Sequence, residues 1–264
     1  MFDNVCKFLA ETFSSDFATW LLGESITLTE LSPSELSLEP IRADALILLQ
    51  SDEVVLHLEF QTQPKADIPF RMIDYRLRVY RRFKSKRMRQ VVIYLQQTNS
   101  EFVQQTTFTL EETSHRFEVI RLWEQPTSVF LEHPGLLPFA ALSQTNNRTA
   151  TLQKVAQEIS GITDRRIQNN IAASAFILAG LVLEKEIIQQ LLRRELMQES
   201  VTYQAILAEG LAEGRAEGRA EEVRRVAMNL LKEGISVEIV AKVTGLSVEQ
   251  VQQLASEEPG NVGE

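Results

Sequence analysis

The sequence predicts an α/β fold: a mixed β-sheet core flanked by helices, followed by an α-helical C-terminal region. Three observations lead there. Residues 54–63 alternate strictly, with Leu56, Leu58 and Phe60 on one strand face and His57, Glu59, Gln61 and Gln63 on the other. Directly afterwards Phe70, Ile73, Leu77, Tyr80 and Phe83 recur at helical spacing, and a short apolar, β-branched run over 90–95 follows. Strand, crossover helix and strand imply a parallel pair. From Asn147 onward no strand signal occurs.

The elements follow in order. Over 2–22, Phe2, Val5, Cys6, Leu9, Phe13, Phe17, Trp20 and Leu21 repeat at three- and four-residue spacing, which predicts one amphipathic helix, or two broken near Ser14-Ser15-Asp16, covering one sheet face. A strand over 25–31 precedes a turn marked by Ser32-Pro33-Ser34 and Glu39-Pro40. Residues 43–49 form a second apolar strand with Asp44 at its start, and the four-residue link 50–53 suits an antiparallel hairpin to 54–61. A helix spans about 68–84, its arginines opposite the apolar stripe. Residues 106–110 and 115–122 predict a further strand pair, and the proline-bearing 126–142 short helical turns. Helices are expected over 149–160, 164–181 and 183–225, the last carrying an Ala-Glu-Gly repeat with Gly210, Gly214 and Gly218. Three small helices over 223–234, 236–243 and 247–255 close the chain, with Ser236 and Ser247 as N-caps and Gln250 completing a capping box. The expected organisation is a sheet domain over 1–145, a helical region over 146–222 and a small helical module over 223–264.

At 264 residues, 44% hydrophobic and 24% charged, the chain has the composition of a globular protein. No run of about 18 apolar residues occurs and the N-terminus has no signal-peptide order, so a cytoplasmic protein without a membrane partner is expected. The single cysteine, Cys6, excludes an internal disulfide and a thiolate metal cluster. The net charge of −9 is uneven: residues 65–89 hold ten Lys or Arg against two acids, a local +8 that leaves −17 for the rest. Such a basic block beside acidic strands suits a phosphate backbone held near a metal.

If the two strands form a hairpin, Asp44 and Glu59 can converge on one Mg²⁺, which takes hard oxygen ligands and can activate water for in-line attack on a phosphate. The residues alone leave a second reading open, in which Glu59 and Gln61 face solvent and Asp44 caps a turn. Arg71, Arg78 and Arg82, spaced by seven and four, share a helix face fit for a phosphate, with Lys65 upstream. Gln63, His57, Tyr75, Asp3 and Glu11 are lesser candidates. The C-terminal module has the outline of a helix-turn-helix, yet its second helix, 248–254, has no cation, which favours a protein contact over DNA reading.

Phe2-Asp3-x-x-x-Lys7, Arg42-Ala43-Asp44, Leu58-Glu59-Phe60-Gln61 and Pro69-Phe70-Arg71-Met72-x-x-Tyr75-x-x-Arg78-x-Tyr80 together resemble the PD-(D/E)XK nuclease superfamily, specifically the Rpn group of recombination-promoting nucleases, also named as transposases. The resemblance spans about residues 1–125. It implies a restriction-endonuclease-like core, a metal-dependent DNA endonuclease linked to recombination or mobile elements, and Mg²⁺ or Mn²⁺ bound by Asp44 and Glu59. Gln61 stands where the superfamily has a lysine. The implied catalytic set is Asp44, Glu59 and Gln61, and the implied DNA contacts are Lys65, Arg71, Arg78 and Arg82. A carboxamide can hydrogen-bond but carries no charge, so a catalytically impaired DNA- or protein-binding accessory is the alternative. Self-association is expected, if anywhere, through the C-terminal helices.

Overall fold

In the computed structural model, which describes residues 2–31, 46–192, 223–231 and 235–256, the chain begins with two helices, α1 (Phe2–Thr12) and α2 (Ser14–Leu22). Asp44, the turn expected after Leu31, the glycine repeat and Gly234 lie outside the described residues. The strands β1 (Thr29–Glu30), β2 (Leu46–Gln50) and β3 (Val54–Gln61) pair antiparallel in succession. Helix α3 (Ile68–Arg82), with Pro69 in a first turn where its missing N–H is not needed, leads to β4 (Arg87–Tyr94), parallel to β3. Two strands, β5 (Thr107–Leu110) and β6 (Thr113–Arg116), form a separate hairpin, and β7 (Glu118–Arg121) adds parallel to β4. The mixed sheet therefore runs β1-β2-β3-β4-β7.

The run 115–122, expected as one strand, divides at Phe117, which turns into the apolar cluster beneath α3 with Ile68, Met72 and Val92. The residues before it pair with β5 and those after it join the main sheet. The strand expected over 25–31 is confined to Thr29 and Glu30.

All eight residues of β3 are buried because both sheet faces are covered. On one face Leu56, Leu58 and Phe60 meet Val5, Leu9, Phe17 and the helices α4 (Arg148–Ser160) and α5 (Arg165–Ala179) in the main core. A 3₁₀ segment, Pro134–Leu142, enters the same core and carries Phe139 into it. The other face lies under α3, which packs Met72, Tyr75 and Val79 against Val55 and Val92. Of the stripe read from the sequence, Phe70, Leu77 and Tyr80 are instead exposed, Ile73 is half-buried, and half-buried Phe83 packs against the Tyr75 and Val79 cluster. Ile68, Met72, Tyr75 and Val79 also have helical spacing, and the helix turns that set to the sheet.

Gly135 fastens the 3₁₀ segment to α2: its N–H donates to Asp16 Oδ2 at 2.8 Å. A Cβ there would stand 2.3 Å from Phe13 Cβ. Gly135→Ala is therefore expected to cost about 3 kcal/mol in urea unfolding; a loss below about 1 kcal/mol would show that the segment shifts without strain.

The chain divides into two compact units, 1–206 and 207–264. Within the second, a helix over 223–231 and the helices Val237–Thr244 and Val248–Ser256 enclose Ala227, Val240, Val251 and Leu254. Gly245, at φ +76°, makes the left-handed turn between the last two. The expected capping box forms, with Ser247 N–H donating to Gln250 Oε1 and Gln250 N–H to Ser247 Oγ. Ser236 sits at its N-cap without a side-chain bond to the backbone. Among the described residues no helix is long and apolar enough to cross a membrane.

Candidate active site

The polar side of β3 lies under α3, and its side chains form one connected set. Glu59 is wholly buried. Its Oε1 accepts from Arg71 Nη2 at 2.7 Å and from Gln61 Nε2 at 2.9 Å. Its Oε2 has no hydrogen-bond partner among the described residues and faces His57 Nε2, also without one, at 3.7 Å. That distance is beyond a hydrogen bond.

His57 is positioned by the neighbouring strand. The register sets it beside Gln90 of β4, whose Nε2 donates to the Met72 carbonyl at 2.7 Å and lies 3.0 Å from His57 Nδ1. A carbonyl only accepts, so the Met72 contact identifies the nitrogen end of the Gln90 amide. That nitrogen then donates to Nδ1, placing the imidazole hydrogen on Nε2, toward Glu59. The Gln90 carbonyl oxygen accepts from His115 Nε2 at 2.8 Å. A hydrogen-bonded chain thus runs from half-buried His115 on β6 through Gln90 to His57, whose Nε2 faces the Glu59 carboxylate at 3.7 Å.

The surroundings register this burial. Desolvation, then the Glu59 charge, push the Tyr94 hydroxyl up to about 12, against an opposing pull from Arg121. Tyr75, whose ring meets His57 edge-on at 5.2 Å, is raised chiefly by burial, with Arg71 lowering and Glu59 raising it. Burial, then Arg76 and His57, hold His115 below the ordinary histidine value.

Among the other sequence candidates, the structure places Gln61 against Glu59 and Tyr75 against His57. Arg71 binds Glu59, Arg78 binds Asp74 through two contacts of 2.9 and 3.0 Å, and Arg82 lies exposed beside the Phe83 ring at 5.7 Å. Lys65 and Gln63 are exposed in the loop before α3. Glu11 pairs with Lys7, and burial pushes its carboxyl up; Asp3 stands in the first turn of α1. Sequence reasoning missed Gln90 and His115. A carboxamide opening an otherwise apolar strand was the available signal for Gln90; His115 had none, because its role depends on where the β5–β6 hairpin docks.

No group of three or more His, Cys, Asp or Glu converges as a metal site among the described residues. The described hairpin register ends with Leu46 opposite Glu59. Asp44 lies outside the described residues. A buried carboxylate oxygen lacking a partner is the donor that a hard cation would satisfy, so Glu59 fits half of a two-acid site.

No curated protein and no solved structure matches the chain. Residues 220–256, which contain the three described helices of the second unit, match the family model described as the Rpn/YhgA-like nuclease family, C-terminal HTH domain.

Proposed function

We propose that this protein is a metal-dependent DNA endonuclease of the PD-(D/E)XK type, in which Asp44 and Glu59 hold Mg²⁺ or Mn²⁺. The observation that carries this reading is the buried Glu59 carboxylate, with one oxygen oriented by Arg71 and Gln61 and the other without a hydrogen bond among the described residues. The C-terminal match to a nuclease family supports it. When bound, such an ion supplies Lewis acidity toward the phosphate and a water of lowered pKa. Gln61 uses one N–H to orient Glu59, and its second N–H and carbonyl remain to position water or a phosphate oxygen. Lys65, Arg78 and Arg82 hold the DNA backbone, joined by Arg71 when it leaves Glu59.

Plasmid nicking in Mg²⁺ tests this. Wild type is expected to nick, and Asp44→Ala and Glu59→Gln to lose more than about 100-fold, since removing a ligand should exceed the 10- to 100-fold effect of an outer-shell partner. Equal or absent cleavage in all three proteins rejects the nuclease. One observation favours a second reading: the Arg71 guanidinium already neutralises Glu59 at 2.7 Å. On that reading the fold survives in a DNA- or protein-binding accessory, and wild type binds DNA without cutting it.

A further inference from the structure

The outer side of α3 carries a second apolar stripe. Phe70, Leu77 and Tyr80 are 58%, 53% and 55% exposed, and their spacing of seven and three places them on one side of the helix, away from Met72, Tyr75 and Val79. The ring of half-buried Phe108, on β5, stands 5.9 Å from that of Phe70 and extends the stripe onto the hairpin. Leu110, on the same side of β5 as Phe108, is 59% exposed. This array exceeds the single scattered apolar side chains normal on a surface. Cations flank it: Lys65 before the helix, Arg81 and Arg82 in its last turn and Lys84 just beyond are all exposed.

That combination selects among occupants. A second copy docked face to face would set a segment of charge +8 against itself. A DNA duplex complements the charge but hides its base faces, so the rings gain nothing. A single strand offers both phosphates and unstacked bases. Phe70 and Tyr80 are ten residues apart, about 15 Å along the helix, room for several unpaired nucleotides. Phe70 also adjoins Arg71, which touches Glu59, so the stripe starts beside the candidate site.

We propose that Phe70, Leu77, Tyr80 and Phe108 form a stacking surface for single-stranded nucleic acid, with the flanking cations holding its phosphates. The proposal rests on the nuclease reading only in naming the form of strand presented to the site. Fluorescence anisotropy in EDTA, with labelled dT20 and a duplex of equal length, tests it without cleavage. Wild type is expected to prefer dT20. Phe70→Ala and Tyr80→Ala each weaken that binding about fivefold or more, the lower end of the loss for one stacked base, and Phe70→Trp retains it with quenched indole emission. Unchanged dT20 affinity in the Phe70→Ala/Tyr80→Ala double variant, with matched melting curves, overturns the proposal. So does a wild-type dimer that this variant converts to monomer in sedimentation without loss of dT20 affinity. The two readings fail separately: single-strand preference lost with Phe70 in a protein that never nicks leaves this proposal standing and rejects the nuclease, and nicking without it does the reverse.

Discussion

Arg71→Ala is expected to cost about 3 kcal/mol in urea unfolding, because it leaves a wholly buried carboxylate with Gln61 as its sole described hydrogen-bond partner. Removing one partner of a buried pair costs more than the pair contributes, since the desolvated charge remains. For the same reason Glu59→Leu combined with Arg71→Met should recover most of the loss, and additive losses in the double variant would show that the two side chains do not act as a unit. The variant also separates the two functional readings. If Asp44 and Glu59 bind a metal, guanidinium and ion compete for one carboxylate. Mn²⁺ at 100 times its Kd adds about 2.7 kcal/mol to a folded state that binds it, and it should stabilise Arg71→Ala more than wild type. Equal gains, or none, would show that Arg71 and a metal do not share Glu59.

Phe139→Ala is expected to cost about 4 kcal/mol and to lower the melting temperature by about 10 °C. The ring is wholly buried, stacks on Phe60 at 5.8 Å and 11°, and meets Phe17 edge-on at 6.0 Å and Phe130 at 6.5 Å. It therefore ties the 3₁₀ segment and α2 to β3, on the face opposite Glu59. The vacated volume cannot close without moving all three partners. Phe139→Leu should lose well under half as much, and a similar small loss for alanine would mean that the core collapses around the site.

Much of the candidate site was legible in the residues. The alternation over 54–61 put His57, Glu59 and Gln61 on one side of β3, and the strand, helix and strand order put a cationic helix after them. The partners were not legible. Gln90 meets His57 only because β3 and β4 pair in one particular parallel register, with His57 opposite Gln90, and nothing within either strand specifies that offset. Arg71 was expected on a phosphate, since the sequence marks it as a cation on a basic helix and cannot show that an acid lies within 3 Å of it.

By itself, the sequence determined the kinds and order of the elements around β3, the hairpin before it, the helices described after Asn147 and the Ser247–Gln250 capping box. These depend on side chains a few residues apart, where strand and helix periods and capping geometry act locally. Only the tertiary structure decided that α3 covers the polar side of β3 and that its Met72, Tyr75 and Val79 face inward while Phe70, Leu77 and Tyr80 face out. It likewise put the Glu59 charge against Arg71. Periodicity sets the phase of residues within a helix; the rotation of that helix about its own axis is set by what it packs against.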